Sequence, residues 1–142
     1  MIYCIVEGKS DVVILSAIFG EKINEQPKII ESNGFPSIPA VARTILSFAE
    51  ETDKVMIVCD QDSFDNESYQ KNMLGFLLRG AMNNPQFKLF TFNPNIDVLI
   101  PNEMKVKGWK NKTNELKSYV FEHIEAIMTN ETVQEIINFI EK

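Results

Sequence analysis

The sequence contains little histidine and cysteine. It has one histidine, His123, and two cysteines, Cys4 and Cys59, in 142 residues. Both cysteines lie inside apolar runs without CxxC spacing, so we expect them to be buried small side chains and not a disulfide or a zinc site. A single histidine offers no basis for a histidine-based metal cluster or a histidine-dependent catalytic triad.

Long apolar runs are also absent. No stretch approaches the roughly 18 consecutive apolar residues that a membrane span needs. The first eleven residues include an apolar run, but no basic segment precedes it and no small-residue cleavage site follows it. We therefore expect a core strand at this position and not a signal peptide, with no membrane partner and a cytoplasmic location.

Positive charge is scarce as well. The chain has 14 Lys and Arg against 20 Asp and Glu, which gives a net charge of −6. Bulk charge therefore opposes binding of nucleic acid, which normally depends on clustered Lys and Arg, unless a divalent cation or a basic partner offsets it. With 44% hydrophobic and 24% charged residues, the chain is expected to form a single globular domain over residues 1–142.

Turn signals divide the chain into alternating strands and helices. Apolar or alternating runs predict four strands, at residues 2–6, 28–31, 55–59 and 87–92. Helical patterns between them predict three helices, at residues 12–19, 38–51 and 69–82, the first capped by Ser10 or Asp11 and ending near Gly20. This order predicts an α/β fold of the Rossmann-like kind, with a mainly parallel sheet of about four strands and helices on both faces.

The end of the chain follows a different pattern. After a core at about residues 1–100, we expect a helical extension at about residues 113–142, with Thr129 or Asn130 capping a last helix over residues 133–140. Its helices carry an apolar stripe: Val120, Phe121, Ile124, Ile127, Val133, Ile136, Ile137 and Ile140. We expect this stripe to pack on the core of the chain itself, although it could also meet a partner protein.

Two of the predicted strands end in acidic residues. Glu7 follows the first strand, and Asp60 and Asp62 follow the third. Ligands gather beyond the carboxyl ends of strands in open α/β sheets, and two acids two positions apart in extended chain face the same side. If the first and third strands are neighbours, the three carboxylates converge, and such hard oxygen ligands suit Mg²⁺ or Mn²⁺.

Each acid also has a purely structural interpretation. Glu7 could be a solvated residue at a strand end, and Asp11 could equally be the N-cap of the first helix or a further metal ligand. Asp60 and Asp62 could cap the loop that follows through Asx-turns. The joint pattern, acid-Gly after the first strand and Asp-x-Asp after the third, is harder to obtain by chance than any one acid.

These segments resemble a known family. Residues 6–11, a strand ending in Glu7-Gly8, resemble the first motif of Toprim domains, and residues 58–63 resemble their second, Asp-x-Asp motif. Asn33-Gly34 fits the glycine turn of the family, and the resemblance covers about the first hundred residues. The Glu-x-x-x-Asp spacing is most similar to the overcoming-lysogenization-defect nucleases and the ribosomal-RNA maturases.

The resemblance implies a Mg²⁺- or Mn²⁺-dependent nuclease and assigns roles to its site residues. Asp60 and Asp62 would be the main metal ligands, and Glu7 would bind metal or act as a general acid or base. Asp11 would hold a second metal. Lys9 would contact a phosphate, with a solvent-facing side chain as its structural alternative.

Further acids and lysines follow the fourth strand. Asp97 stands where similar nucleases have a glutamate, so it would be a weaker ligand. A downstream lysine also acts in those nucleases, and Lys107, Lys110 and Lys112 are the candidates here.

Three functions remain open from the sequence. The first is a nuclease, or the catalytic subunit of a nuclease complex, acting on DNA in preference to RNA, with an ATPase or helicase as partner or with a second copy of itself. The second is a non-catalytic Toprim module that binds nucleic acid or a protein in repair or recombination. The third is a receiver-like domain with Asp60 as phosphoacceptor, which would need an acidic pair after the first strand that Glu7-Gly8 does not supply.

Overall fold

Four parallel strands form the central sheet. A computed structural model describes residues 1–63, 73, 83 and 85–142. The strands are β1 Ile2–Val6, β2 Lys28–Glu31, β3 Lys54–Asp60 and β4 Gln86–Phe92. Their order in the sheet is β2-β1-β3-β4, with parallel pairing throughout, so β1 and β3 are neighbours as expected. The fold is thus α/β and Rossmann-like.

Helices occupy most of the remaining described chain. They are α1 Lys9–Lys22, α2 Ile38–Phe48, α3 Thr113–Glu122, α4 Ile124–Ile127 and α5 Glu131–Glu141. Short 3-10 turns at Phe35–Ser37, Gln61–Ser63, Ile96–Leu99, Asn102–Met104 and Trp109–Asn111 complete the connections. The helix predicted over residues 69–82 lies outside the described residues, apart from the buried Met73.

The sheet separates two apolar cores. One core joins alternate β1 residues such as Cys4 to α1, α3 and α5, and the other joins Ile5 and Ile57 to α2. Successive residues of a strand point to opposite faces, so a continuous apolar run such as β1 is suited to a sheet covered on both sides. Cys4 and Cys59 are both free and buried, which confirms the expectation that they are buried small side chains.

The boundaries of the first two helices differ from the sequence prediction. Helix α1 begins at Lys9, earlier than residue 12, because Gly8 is its N-cap, so Ser10 and Asp11 are not. Asp11 is instead in the first turn, where its Oδ2 accepts a hydrogen bond of 3.0 Å from the Gly8 N–H. The helix continues past Gly20 to Lys22, while α2 ends at Phe48, where the chain becomes extended at Ala49.

The C-terminal helices pack on the chain itself, as expected. Asn130 caps α5, its side chain accepting a 3.1 Å hydrogen bond from the Val133 N–H. At the other end of α5, the Lys54 ammonium donates to the carbonyls of Phe139 and Ile140, at 2.8 and 2.9 Å, which supplies partners for terminal carbonyl groups. Only Phe121 of the apolar stripe is exposed, at 62%. Within the described part of the chain, no helix has the length and apolar character needed to cross a membrane.

Packing of α5 is expected to contribute strongly to stability. Ile136 is 1% exposed in the first core, so Ile136→Ala removes buried methylenes and leaves a cavity. We expect it to lower the free energy of unfolding by about 2–4 kcal/mol. The exposed Phe121 is the control, since Phe121→Ala should cost less than about 1 kcal/mol. Urea titration compares the two, and equal losses would contradict this account of the packing.

Candidate functional site

A cleft opens at the carboxyl ends of the strands. Its volume is about 660 Å³. In the sheet order, β2 lies on one side of β1 and β3 lies on the other, so the strand order reverses between β1 and β3. The cleft lies at this switch point, which is the usual ligand site of open α/β sheets. The cleft is lined by Glu7, Gly8, Lys9, Ser10, Asp11, Glu31, Asn33, Gly34, Phe35, Asp60, Asp97, Lys110 and Asn111.

Two carboxyl groups meet in this cleft. Glu7 follows the last residue of β1 and Asp60 is the last residue of β3, and the two side chains are within hydrogen-bonding distance. The Ser63 hydroxyl donates to Glu7 Oε1 at 2.7 Å, and the Ile96 N–H donates to Asp60 Oδ1 at 2.9 Å. Each carboxyl group is therefore oriented by a separate donor, and the structure brings together acids 53 positions apart in the sequence.

The surroundings of Asp60 favour its protonated form. Burial raises the pKa of Asp60 to about 7, the Ile96 N–H opposes this rise, and the carboxylate of Glu7 adds to it. When Asp60 is protonated, its O–H can donate to Glu7, which relieves the repulsion between the two groups. Near neutral pH the pair therefore holds a proton that an isolated aspartate would have lost.

Asp11 also faces the cleft. Burial raises the pKa of Asp11 to about 6, the hydrogen bond from Gly8 lowers it, and the nearby Asp60 and Asp97 raise it further. The contact with Gly8 gives Asp11 a structural role at the start of α1. Its position in the lining of the cleft is compatible with the predicted metal role, which stays a prediction.

Asp62 does not lie where the extended-chain argument places it. Strand β3 ends at Asp60 and the chain turns into a 3-10 helix at Gln61, so the two aspartates do not alternate along a strand. Asp62 is exposed, is not part of the cleft lining, and accepts a 3.1 Å hydrogen bond from the Asn95 amide. The expectation that Asp60 and Asp62 face one point is therefore wrong.

Asp97 and two lysines complete the charged lining. The Lys110 ammonium lies 3.6 Å from Asp97 Oδ2, an ion pair that water partly screens because Lys110 is exposed. Lys9 is exposed at the first position of α1. Of the three downstream lysines named from the sequence, Lys110 lines the cleft, whereas Lys107 and Lys112 do not.

The turn after β2 holds the backbone at the end of β1 through two hydrogen bonds. The Gly34 N–H donates to the Glu7 carbonyl at 2.7 Å, and the buried Ser32 hydroxyl donates to the Val6 carbonyl at 2.6 Å. Gly34 has a φ of 113°, a left-handed conformation that side chains rarely adopt, so the turn requires glycine there. Sequence reasoning identified Asn33-Gly34 as a turn but not its contact with the strand end.

Three site features were missed from the sequence. Glu31 ends β2 and lines the cleft, and the rule that located Glu7 would have found it. Ser63 lies beside the Asp-x-Asp motif, but only the structure shows that its hydroxyl reaches Glu7. The Ile96 N–H has no sequence signal, since any residue except proline carries the same donor.

Carboxylate oxygens are the main charged donors in the lining of the cleft. Five acids and two lysines line the cleft, so its charge is negative. Glu7 and Asp60 offer oxygen ligands that converge, and Asp11 lies in the same lining, which fits Mg²⁺ or Mn²⁺ by ligand type. Among residues 1–63, 73, 83 and 85–142, no three acids, histidines or cysteines are grouped closely enough to hold an ion as they stand.

The fold and cleft define a Rossmann-like α/β protein with paired carboxyl groups at the switch point of its sheet. Comparison of this chain with known proteins does not narrow that class further. The chain matches no protein-family model, no curated protein and no solved structure. Function must therefore be argued from the chemistry of the cleft.

The cleft should make the metal-free protein less stable as the pH rises. Folding raises the pKa of Asp60 to about 7 and of Asp11 to about 6, from 3.8, so the folded state holds protons that the unfolded chain releases above about pH 4. The contribution of these groups to the free energy of unfolding is therefore present at low pH and is lost as the pH rises through their folded pKa values. Urea unfolding in EDTA, from about pH 5 to about pH 8, measures this slope.

Asp60→Asn tests whether the carboxyl group of Asp60 causes this pH dependence of the free energy of unfolding. The amide keeps an oxygen for the Ile96 N–H and can donate to Glu7, as protonated Asp60 does. We expect a flatter pH dependence than in the unmodified protein and higher stability at about pH 8. Glu135→Gln, on the exposed side of α5, should leave the slope unchanged. An unaltered slope in Asp60→Asn would contradict the role of the carboxyl pair.

Proposed function

We propose that the cleft binds Mg²⁺ or Mn²⁺ and that the chain acts on nucleic-acid phosphodiesters, as a Toprim-type nuclease or the catalytic subunit of a nuclease complex in the cytoplasm. One observation carries the proposal: the carboxyl groups of Glu7 and Asp60 meet at the tips of two neighbouring parallel strands. Glu7 and Asp60 each belong to a motif that resembles the Toprim family, whereas Asp62 of the second motif lies outside the cleft lining.

Electrostatics supports a cation at this point. Two ionised carboxylates in hydrogen-bonding distance repel each other, and in the metal-free protein a shared proton relieves that repulsion. A divalent cation can replace the proton and let both groups ionise, so binding should release protons. The high pKa of Asp60 is thus consistent with a carboxyl group whose ionised form a cation would stabilise.

The proposed roles follow the position of each residue. Glu7 and Asp60 would be direct ligands, and Asp11, at the start of α1, would hold a second cation. Asp97, already beside Lys110, would be a weaker ligand. Asp62 is exposed outside the lining, so we assign it no ligand role.

The two lysines of the cleft complete the assignment. When bound, the cation would activate water and neutralise charge on a phosphate. Lys110 and Lys9 would donate to non-bridging oxygens of that phosphate. Either lysine would then help to orient the scissile bond.

A non-catalytic Toprim module is the second candidate. In the part of the chain that the structure describes, only a pair of acids, not a group of three, is assembled. The net charge of −6 also weakens contact with nucleic acid. An ATPase or helicase, or a second copy of this chain, would then supply the missing surface.

Cation binding is the first test. Mn²⁺ titration followed by electron paramagnetic resonance should show binding that strengthens as the pH rises towards about 7 and then levels off, because the ion competes with the proton of Asp60. Asp60→Asn and Glu7→Gln should each weaken binding by tenfold or more (about 1.4 kcal/mol). Asp62→Asn is the matched control, with an expected change below about threefold.

Two results would refute the cation site. One is the absence of Mn²⁺ binding to the folded protein. The other is equal loss of binding in Asp62→Asn and Asp60→Asn, because that would indicate diffuse attraction to an acidic surface and not ligation in the cleft.

Cleavage is the second test. Labelled single-stranded DNA, duplex DNA and RNA are incubated with Mg²⁺ or Mn²⁺, and with EDTA as the blank. We expect cation-dependent cleavage that Asp60→Asn abolishes and that Lys110→Ala lowers by about 100-fold, the usual scale for removal of a charged donor to a reacting phosphate. Lys110→Ala should leave Mn²⁺ affinity nearly unchanged. Cation binding without cleavage of any substrate would favour the non-catalytic module.

A further inference from the structure

An unusual concentration of positive charge lies beside the acidic cleft. Four lysines occur within eight residues: Lys105, Lys107, Lys110 and Lys112. No acidic residue interrupts this segment, residues 105–112, which we call the lysine loop. The four charges stand out in a chain whose net charge is −6.

The lysine loop has a defined backbone. The Trp109 N–H donates to the Val106 carbonyl at 3.0 Å, and the Lys112 N–H donates to the Trp109 carbonyl at 3.1 Å. Gly108 turns the chain with a φ of 79°. The half-buried Trp109 packs against the first core and ties the loop to the domain. The loop therefore presents its lysines from fixed positions, which reduces the entropy lost on binding.

Little of this charge is neutralised within the chain. Lys107, Lys110 and Lys112 are exposed, and Lys105 is half-buried. The two ion pairs are long, at 3.6 Å for Lys110 with Asp97 and 4.0 Å for Lys112 with Glu115. Across the described ranges, Lys105 and Lys107 form no ion pair. Exposed pairs of such length contribute little stability, so the loop remains an electropositive surface.

The loop is continuous with the proposed site. Lys110 and Asn111 are part of the cleft lining, and the other three lysines lie within five positions of Lys110 along the chain. Away from the loop, the exposed acids Glu31, in the lining, and Asp62, beside Asp60, outnumber the one exposed lysine of the described lining there, Lys9, so the remaining rim is negative on balance. A polyanion can therefore approach the cleft favourably along the lysine loop and unfavourably past these acids.

We propose that the lysine loop binds the sugar-phosphate backbone of a single nucleic-acid strand and leads it to the cleft. The choice of a nucleic acid rests on the proposed function of that cleft. A single strand is favoured over a duplex because the acidic rim would repel the phosphates of a second strand. Lys105, Lys107 and Lys112 bind phosphates outside the cleft, and Lys110 binds the one that enters it.

A charge-matched comparison tests the proposal. The first variant combines Lys105→Gln, Lys107→Gln and Lys112→Gln and keeps Lys110. The control combines Lys28→Gln, Lys88→Gln and Lys142→Gln, which are exposed lysines outside the loop and the cleft lining. Both variants have the same net charge, so bulk electrostatics affects them equally.

Fluorescence anisotropy with a labelled oligothymidylate of about 20 nucleotides, in EDTA to prevent cleavage, gives the affinity. We expect the loop variant to bind tenfold or more weakly at low salt, while the control stays within about threefold. Each phosphate contact to a single strand contributes about 0.7 to the salt slope, so the loop variant should lose about 2. The matching duplex should bind the unmodified protein more weakly than the single strand does.

Three results would overturn the proposal. The first is the absence of oligonucleotide binding by the unmodified protein, and the second is an equal loss of oligonucleotide affinity in the loop and control variants. The third is that polyglutamate binds as tightly as the oligonucleotide and depends equally on the loop lysines. The last would assign the loop to an acidic protein surface. Mn²⁺ titration of both variants separates this inference from the cation proposal. Mn²⁺ binding without loop-dependent oligonucleotide binding would refute this inference and leave the cation site standing. Loop-dependent oligonucleotide binding without Mn²⁺ binding would refute the cation site and leave the role of the loop standing.

Discussion

The contact between the carboxyl groups of Glu7 and Asp60 is the constraint on which the site depends. Parallel pairing of β1 with β3 carries two acids to the same edge of the sheet, where water is partly excluded and repulsion is strong. The structure stabilises this arrangement with a hydroxyl from Ser63, a backbone N–H from Ile96 and a proton retained near neutral pH. The Gly34 N–H fixes the backbone of Glu7 by donating to its carbonyl.

The charges around this pair divide the cleft into two regions. The inner lining is acidic, through Glu7, Asp11 and Asp60, and suits a cation. The lysine loop begins at the wall formed by Lys110 and suits a polyanion. A phosphodiester substrate needs both, since the cation must lie next to a phosphate that the acidic lining would otherwise repel. Under the proposed function, the small basic segment beside the acids would meet that need in a chain of charge −6.

Local patterns predicted the elements well and their edges less well. The strands at residues 2–6 and 28–31 were predicted with the bounds observed, because turn residues delimit these apolar runs. Strand β3 is one residue longer than predicted at each end, and β4 is one residue longer at its start. The predicted start of α1 was wrong, because the N-cap is Gly8, which has no side chain that could signal a cap in the sequence. Asp62 was misplaced for a related reason: side chains alternate only within a strand, and β3 ends at Asp60, two residues before Asp62.

The sequence by itself determined the alternation of strands and helices, the acids at the strand tips and the packing of the C-terminal apolar stripe. These follow from short-range periodicity and from the burial of apolar side chains, which any window of the chain reveals. Only the tertiary structure decided that Glu7 meets Asp60, that Ser63 and Ile96 hold them, and that Lys110 is the downstream lysine in the cleft. Those contacts join residues distant along the chain, and they arise from strand order and loop packing, which local residue patterns do not specify.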